Sequence, residues 1–366
     1  MRILQISSAS SFGGGERHVV DLTNALASRG HELFAALRPN SPLIPQLRIG
    51  ASNIKTLPLR NALDPQSARA LARLAKQQNI DVIHAHMARD YSLAAYAARR
   101  SRGAKLIVTR HVLFPLNRLH RRVLSRASRI VAVSHAVANQ LRAQRLIDDQ
   151  RIAVIPNGID MERFAVAARQ FDRLGVLRKL NLPDDCLLVG SVGELRVLKR
   201  HDDFIKAAAT VARAFPQTHF VIAGVDTSVG GQIYKQLVEL VAQVGLPERI
   251  HFLGWLDNAE ELLLALDVFV SASETESFGL AIAEAMAAGS AVVATETEGA
   301  KEVVADQTTG LLVPIGNSER LAAAIAELVK NEALRKNLGA RAREAVAEKF
   351  SLDRMVVETE RIYLAD

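Results

Sequence analysis

Cysteine, aromatic side chains and long apolar runs are all scarce in this chain of 366 residues. Cys186 is the only cysteine, so the chain can form neither a disulfide framework nor a cysteine-rich metal site, and a reducing compartment fits this usage. No uninterrupted apolar run approaches the roughly 18 residues of a membrane span, and the amino terminus is too polar for a secretory signal. The sequence therefore excludes a disulfide-stapled miniprotein and predicts a protein that does not cross a bilayer.

The residues that are abundant indicate a folded α/β protein. Hydrophobic residues make up 49% of the chain and charged residues 23%, which is typical of a globular protein. Strand-like apolar runs alternate with helical patterns, and the alternation restarts near the middle of the chain. In chain order the predicted strands are Ile3–Ile6, Leu33–Leu37, Val82–His86, Leu106–Thr109, Ile130–Val133, Ile152–Ile155, Leu187–Val192, Phe220–Ala223, Ile250–Leu253, Val268–Ser271, Ala291–Ala294 and Leu311–Val313.

This pattern predicts two doubly wound parallel-sheet domains in tandem, of the Rossmann-like kind. We place the first domain at residues 1–165 and the second at 166–350, with a helix-like stretch, Met161 to Leu180, at the junction. The final segment, 351–366, reads as a helix that crosses back onto the first domain. Ligands bind beyond the carboxyl ends of the strands in such sheets, so two facing domains would form a cleft lined by those loops.

The two predicted domains differ sharply in charge. Residues 1–165 contain 25 Lys and Arg against 10 Asp and Glu, whereas the remainder contains 21 against 29. The net charge of +7 thus averages a basic half and an acidic half. The basic half suits an anionic partner such as a membrane surface, a nucleic acid or a phosphorylated substrate, although a solvated basic surface without a partner would look the same.

The first predicted strand leads into a glycine-rich loop. Gly13, Gly14 and Gly15 precede a helix whose first N–H groups could bind a phosphate or carboxylate. The loop lacks the G-x-G-x-x-G spacing, and the second strand is followed by Arg38 rather than an acidic residue, so a nicotinamide dinucleotide is disfavoured. A tight turn without a ligand remains the alternative.

Two glutamates follow the strand at Val268 to Ser271. Glu276 and Glu284 are separated by about 10 Å along the helix that begins between them, so each could accept hydroxyl hydrogen bonds from one elongated polyol ligand. The N–H groups at the start of this helix favour a diphosphate. A helix cap and a surface carboxylate would give the same spacing.

Three further candidates lie at the carboxyl ends of predicted strands. Arg196 and Lys199 follow the strand ending at Val192, where cations can neutralise phosphate oxygens, and His111 follows the strand ending at Thr109. In isolation, each of these residues is also compatible with a purely structural role in a loop.

Taken together, the motifs resemble the retaining glycosyltransferases of family 4, which have the GT-B fold and use a nucleotide-activated sugar. The resemblance extends over essentially the whole chain. It rests on FGGGERH at 12–18, TRH at 109–111, VIPNGID at 154–160, the segment 193–199, FLGW at 252–255 and, above all, ESFGLAIAEAMAAG at 276–289.

The resemblance implies a role for each candidate residue. Glu276 would bind hydroxyls of the donor sugar, and Glu284 would bind the ribose. Gly14 and Gly15 would approach the diphosphate from the other domain. His111 would lie beside the reacting sugar. The start of the donor-binding helix would comprise Ser277, Phe278, Gly279 and Leu280. The two cations that would hold the diphosphate are Arg196 and Lys199.

Two positions depart from the family pattern. Glu194 stands where Arg is frequent, so Arg196 would have to take over its function, and Ser290 replaces a frequent Pro. No Asp-x-Asp triplet, the metal–diphosphate clamp of the other large glycosyltransferase fold, is present. The expectation is a reaction that needs no metal and no cofactor, with a UDP- or GDP-sugar as the donor substrate.

A basic segment, residues 99–145, points to the acceptor. The stretch from Tyr91 to Ile147 contains 12 Lys and Arg and no Asp or Glu, and the apolar residues 113–116 adjoin Arg118 to Arg122. This combination suits an anionic membrane surface. We expect a cytoplasmic enzyme, peripherally bound at the inner face of a membrane, that acts on a lipid-linked, lipopolysaccharide-type or other cell-envelope glycan acceptor.

Two other functions fit parts of the sequence. A GT-B epimerase would use a sugar nucleotide without an acceptor, but the segment from Glu276 to Glu284 argues against it. A nucleic-acid-binding protein would account for the basic half, but aromatic residues that could stack on bases are scarce within the basic segment. The sequence therefore favours a transferase that does not bind nucleic acid.

Overall fold

The computed structural model describes every residue except Arg102 and Asp366. The chain forms two compact α/β units. Unit 1 comprises Met1–Gly158 and the carboxyl-terminal segment that begins at Leu352, and unit 2 is the continuous stretch Ile159–Ser351. The chain thus passes from one unit to the other at residues 158 and 159, whereas the sequence placed this boundary at 165.

Strands and helices alternate through both units. The strands are β1 (Arg2–Ser7), β2 (Glu32–Leu37), β3 (Ile54–Thr56), β4 (Val82–Ala85), β5 (Lys105–Arg110), β6 (Arg129–Ala132), β7 (Ile152–Val154), β8 (Leu187–Val192), β9 (Thr218–Ala223), β10 (Ile250–Gly254), β11 (Val268–Ser271), β12 (Ala291–Thr295) and β13 (Leu311–Val313). The helices are α1 (Gly14–Ser28), α2 (Pro65–Gln77), α3 (Tyr91–Arg100), α4 (His120–Leu124), α5 (His135–Ala143), α6 (Met161–Arg169), α7 (Arg173–Lys179), α8 (His201–Ala214), α9 (Gln232–Gln243), α10 (Ala259–Ala265), α11 (Leu280–Ala288), α12 (Glu298–Val303), α13 (Ser318–Lys330), α14 (Glu332–Lys349) and α15 (Leu352–Leu364).

Each unit contains one parallel sheet. The order is β3-β2-β1-β4-β5-β6-β7 in unit 1 and β10-β9-β8-β11-β12-β13 in unit 2. The strand order reverses direction between β1 and β4 in the first sheet and between β8 and β11 in the second. These are the positions at which doubly wound sheets open a crevice beyond their carboxyl ends. The predicted fold of two Rossmann-like domains is confirmed.

The strands are apolar because both faces of each sheet are covered. Every residue of β4, β11 and β12 is buried, which explains why these segments are continuous apolar runs rather than alternating ones. Asp64 and Ser134 accept backbone hydrogen bonds at the starts of α2 and α5 and so fix where these helices begin.

The last helix belongs to unit 1. Met355, Val356 and Tyr363 of α15 lie in the same buried cluster as Ile3 of β1 and Val82 of β4. This is the segment for which the sequence predicted a return to the first domain.

Two details differ from the sequence-based expectation. β3 is a three-residue edge strand, too short to show a period. The helical stretch expected at Met161 to Leu180 is divided into α6 and α7, because Gln170 to Asp172 do not continue the helix. Within the part of the chain that is described, no helix combines the length and the apolar composition required to cross a membrane.

Candidate active site

An ion pair joins the loops that follow β8 and β11, the two adjacent strands between which the strand order of the unit 2 sheet reverses. Lys199 follows β8 and Glu276 follows β11, and the Lys199 Nζ donates a hydrogen bond to Glu276 Oε1 at 2.7 Å. Ser273 Oγ donates to the same oxygen, also at 2.7 Å. Among the described residues, Glu276 Oε2 receives no hydrogen bond, so this oxygen is available to a ligand. The structure therefore brings together two candidates that the sequence identified separately.

Backbone contacts hold the Glu276 loop in place. The Glu274 N–H donates to the Leu198 carbonyl at 2.8 Å, which ties the β11 loop to the β8 loop. From the start of α12, the Gly299 N–H donates to the Glu276 carbonyl at 3.2 Å. A Cβ at Gly299 would lie 2.6 Å from that carbonyl oxygen, so only glycine allows this approach. The position of Glu276 thus depends on three segments of unit 2.

The start of α11 presents main-chain donors. Gly279 has a φ of 94° and precedes the helix without any side-chain cap. Phe278 is buried and packs edge-on against Phe350 at a centroid distance of 5.4 Å, which anchors the turn. Ser277 and Leu280, on either side of this turn, are partly exposed. A helix start of this kind favours an anion such as a phosphate.

Glu284, eight residues after Glu276, belongs to a buried ionic network. Arg163 of α6 donates to Glu284 Oε1 at 2.9 Å and also pairs with Glu260 of α10. The sequence pattern did not point to Arg163, because 121 residues separate it from Glu284. Arg163 neutralises two largely buried carboxylates and joins three helices of unit 2.

Arg196 has a different neighbour from Lys199. Its Nε lies 3.4 Å from Glu194 Oε2, and its side chain is 59% exposed. Glu194 also accepts a hydrogen bond from Thr227. The acidic residue that departs from the family pattern therefore offsets the charge of Arg196, whereas Lys199 lies beside Glu276.

In unit 1, the glycine loop and His111 lie together. α1 begins at Gly14, directly after the loop that follows β1, and His111 directly follows β5. A Cβ at Gly15 would lie 3.6 Å from His111 Cγ, so the first turn of α1 packs closely against the imidazole. The two sequence motifs thus form one local site in unit 1.

A hydrogen-bond chain sets the orientation of His111. His86 Nε2 lies 2.7 Å from Gln5 Oε1, which can only accept, so this nitrogen carries the proton. His86 Nδ1 is then an acceptor, and His111 Nε2 lies 3.3 Å from it. His111 therefore donates through Nε2 and keeps a lone pair on Nδ1. That Nδ1 is buried and has no hydrogen-bond partner among the described residues.

Two more histidines complete this cluster. His18 Nδ1 lies 2.9 Å from Asn157 Oδ1, and its ring contacts that of His111 edge-on at 4.7 Å between centroids. His84 lies between Tyr363 and Thr109, at 2.6 and 2.7 Å. The sequence singled out only His111. A second signal was present in the H-x-H spacing of His84 and His86 at the end of β4.

Burial makes these imidazoles neutral at physiological pH. It lowers the pKa of His18 to about 4 and those of His84, His86 and His111 well below the ordinary value of 6.5. One nitrogen from each of His18, His86 and His111 lies within 4.8 Å of the others, a spacing at which a divalent metal such as zinc could be bound. In this structure, His86 and His111 are instead joined by a hydrogen bond between two neutral imidazoles.

Comparison with known proteins places this geometry in a family. Residues 12–163 match the model for Glycosyltransferase Family 4, and residues 176–345 match the model for Glycosyl transferases group 1. The chain is 27% identical to N-acetyl-alpha-D-glucosaminyl L-malate synthase of Bacillus anthracis, over 98% of this chain and 95% of that protein. It is 30% identical to the lipopolysaccharide core biosynthesis glycosyltransferase LpsE of Rhizobium meliloti, over 93% and 92%.

A solved structure shows the same fold. HepE of Anabaena, in complex with UDP and glucose, is similar with a TM-score of 0.86 and 22% sequence identity, over 99% of this chain and 98% of that one. The sequence matches and this likeness agree with the resemblance that the motifs indicated. The chain belongs to the family 4 glycosyltransferases, has the GT-B fold, and is a glycosyltransferase.

Proposed function

We propose that the enzyme transfers a sugar, with retention of anomeric configuration, from a UDP- or GDP-sugar bound on unit 2. The observation that carries this proposal is the Lys199–Glu276 pair beside the uncapped start of α11. It combines a hydroxyl acceptor, a cation and main-chain N–H donors at the reversal point of one sheet. These are the groups that a sugar diphosphate requires. The family membership favours transfer over the epimerase and nucleic-acid-binding alternatives.

Each group has a defined task in this proposal. Glu276 Oε2 accepts a hydrogen bond from a sugar hydroxyl, while Ser273 and Lys199 hold the other oxygen. Glu284, fixed by Arg163, accepts from the ribose. As the glycosidic bond breaks, negative charge grows on the leaving diphosphate, and Lys199 and the α11 N–H groups stabilise it. Arg196 adds to this stabilisation of the diphosphate when it is not paired with Glu194.

We propose that no metal and no cofactor takes part. The diphosphate charge is met by Lys199 and by the main-chain donors, which take the place of a cation. On unit 1, we propose that the start of α1, with Gly14 and Gly15, and the His111 imidazole against which Gly15 packs form the part that contacts the substrate.

Donor binding is the direct test of the function. We would measure thermal shifts with UDP-, GDP- and ADP-sugars, then follow turnover of the best donor by NMR to read the anomeric configuration of the product. Glu276→Gln should abolish the shift and turnover, while Glu274→Gln, an exposed neighbour, should leave both intact. Inversion of configuration, or no shift with any sugar nucleotide, would overturn the proposal.

For the acceptor, we propose a lipid-linked or lipopolysaccharide-type glycan at the inner face of a membrane. The support is the basic segment 99–145, of which Arg102 lies outside the described residues. Phe114 and Leu119 are 61% and 78% exposed, and Arg118, Arg121 and Arg122 beside them are exposed as well. Apolar and cationic side chains together suit an anionic lipid surface.

Vesicle co-sedimentation tests this assignment. The enzyme should bind vesicles that contain phosphatidylglycerol and not vesicles of phosphatidylcholine alone. Phe114→Ser with Leu119→Ser should weaken binding, and Val229→Ser, at an exposed apolar position of unit 2, should not. Equal, negligible binding to both kinds of vesicle would remove the membrane from the proposal.

A further inference from the structure

A pocket lies at one edge of unit 1, and no residue of the histidine cluster lines it. Its volume is about 420 Å³, and it is lined by Ser10, Arg38, Pro39, Asn40, Pro58 and Arg60. These residues come from the loops that follow β1, β2 and β3, which are neighbours in the sheet. The pocket therefore occupies the carboxyl edge of the sheet, where ligands of such folds bind. Its volume falls in the range of small-molecule sites.

The two arginines of the pocket form no direct ion pair within the described part of the chain. Across the described residues, neither Arg38 nor Arg60 forms an ion pair, and none of the residues that line the pocket is acidic. The carboxylates in their neighbourhood have other tasks. Asp64 accepts hydrogen bonds from the amides of Gln66 and Ser67, and Asp90 accepts one from the amide of Ser8. Asp64 and Asp90 interact electrostatically with Arg60 and Arg38, but without direct ion pairs, so both guanidinium groups keep their N–H donors for a ligand.

The walls of the pocket are fixed rather than loose. Leu59 adopts a left-handed backbone conformation with a φ of 41°, which is unfavourable for leucine, whereas Asn40, with a φ of 59°, is in a region that asparagine tolerates. The Leu59 amide donates to Ser67 Oγ at 3.0 Å, and the Arg60 amide donates to Asp64 Oδ2 at 3.2 Å. Ser67 and Asp64 are themselves buried, so their hydrogen bonds fix the backbone of residues 59 and 60 to the interior of unit 1.

We propose that this pocket binds a phosphate monoester group of the acceptor. Two guanidinium groups match a doubly charged oxyanion in charge and in hydrogen-bond geometry, and the Ser10 hydroxyl and Asn40 amide add neutral donors. This inference rests on the proposed function, since it assigns the acceptor to unit 1. It names the chemistry that the acceptor presents, whether on a soluble sugar phosphate or on a lipid headgroup.

Equilibrium binding tests the pocket without turnover. Glycerol 1-phosphate and inorganic phosphate would be titrated into the full-length protein by calorimetry. Arg38→Gln and Arg60→Gln should each weaken binding at least tenfold. The matched control is Arg69→Gln with Arg73→Gln, which removes two exposed positive charges from α2 and should change affinity less than twofold. Equal affinity in the wild type and in the Arg38, Arg60 double variant would overturn the proposal, and so would equal weakening in the control.

One vesicle measurement, compared with the glycerol 1-phosphate titration, identifies the source of the phosphate. If the double variant loses binding to vesicles that contain phosphatidic acid, the phosphate belongs to a lipid. If vesicle binding is unchanged while glycerol 1-phosphate binding is weakened, the phosphate belongs to a soluble acceptor. Urea unfolding of each variant shows that the fold is retained, and Arg60→Lys, which keeps the charge but not the planar fork, should bind with intermediate affinity.

The same variants separate this inference from the proposed function. Thermal shifts with sugar nucleotides report on unit 2 and should be unaffected by Arg38→Gln and Arg60→Gln. If the wild type binds phosphate in the pocket but no sugar nucleotide stabilises it, the proposed function fails while the pocket stands. If donors bind and the pocket variants keep full phosphate affinity, only the pocket fails.

Discussion

Lys199 Nζ and Glu276 Oε1 lie 2.7 Å apart although 77 residues separate them in the chain. The contact exists because β8 and β11 are adjacent in the sheet while their order in the chain is not consecutive. Each charge is held in place by the other before any substrate arrives. A group that is already oriented needs little reorganisation when the transition state forms.

Removing the cation should therefore impair chemistry more than folding. We expect Lys199→Ala to lower kcat by about 10² to 10³, the scale for loss of one preorganised charge-stabilising donor. The measurement is steady-state kinetics with the donor identified by thermal shift. Lys330→Ala, at an exposed position of the same unit, is the control and should have wild-type kinetics. Near-normal turnover of Lys199→Ala would place this residue outside the site.

Transfer should continue when divalent metals are removed. With Lys199 and the α11 N–H groups in place of a cation, we expect an excess of EDTA to leave the rate unchanged within about twofold. The measurement compares dialysed enzyme with and without chelator. A strict requirement for added magnesium or manganese would contradict this expectation and direct attention to the carboxylates near the diphosphate.

The loop that carries Glu276 should be sensitive to one methyl group. In Gly299→Ala, the new Cβ would lie 2.6 Å from the Glu276 carbonyl oxygen and 2.8 Å from the Phe278 nitrogen, so the loop must move. We expect the KM for the donor to rise at least tenfold. Gly50→Ala is the control, because its Cβ would make an ordinary contact of 3.7 Å. Unchanged donor binding in Gly299→Ala would show that the loop position is not critical.

The network around Arg163 should matter for stability. Arg163→Met leaves the buried carboxylates of Glu260 and Glu284 without a counter-charge, and we expect a loss of about 3 kcal/mol in the free energy of unfolding of unit 2. Urea unfolding followed by Trp255, the only tryptophan, reports on this unit.

An exposed arginine on the same helix provides the comparison. Arg169 pairs with Glu162 at the surface, at 3.3 Å, and Arg169→Met should cost less than about 1 kcal/mol. Equal losses for the two variants would show that the partners of Arg163 are not effectively buried. A donor KM that rises only in Arg163→Met would in addition support the role of Glu284 in ribose binding.

Unit 1 should lose stability in mild acid. Burial lowers the pKa of His18 to about 4, so between pH 6.5 and 4 the unfolded chain binds a proton that the folded chain does not. The contribution of His18 to the free energy of unfolding is therefore fully present above pH 6.5 and decreases as the pH falls towards 4. The full shift corresponds to about 3 kcal/mol. The lowered pKa values of His84, His86 and His111 act in the same direction.

Hydrogen exchange at pH 7 and pH 5 measures this effect locally. Protection factors, which correct for the slower intrinsic exchange at pH 5, should fall at pH 5 for peptides from α1 and β4 and change less for peptides from β11 and β12. His18→Gln should reduce the difference in protection between the two pH values. An equal loss of protection in both units would show that the histidine cluster is not the source.

The fold was readable from the sequence because parallel sheets leave a strong pattern. Every predicted strand is present, since strands covered on both faces must be continuous apolar runs. β3 was missed because three residues at an edge bury only one side chain in part. The helices α10 and α12 are seven and six residues long, too short to show a clear helical period in the sequence.

The candidate site was partly readable for a related reason. Residues directly after strands, such as Lys199 and His111, can be assigned to the carboxyl edge of a sheet from local sequence alone. Arg163 could not be found in this way, because its pairing with Glu284 depends on how three helices pack. The pocket formed by Arg38 and Arg60 likewise arises from loops that only the sheet order brings together.

The position of α15 has a consequence for how the protein is made. Unit 2 is continuous in the chain, whereas unit 1 lacks Met355, Val356 and Tyr363 until α15, which follows the whole of unit 2, has been synthesised. All seven strands of its sheet are synthesised before that, so the apolar surface that α15 covers stays exposed during the translation of more than half the chain. Helix α15 thus completes unit 1 only after unit 2 has been synthesised, and a chain that ends before Leu352 should aggregate rather than yield a folded first unit.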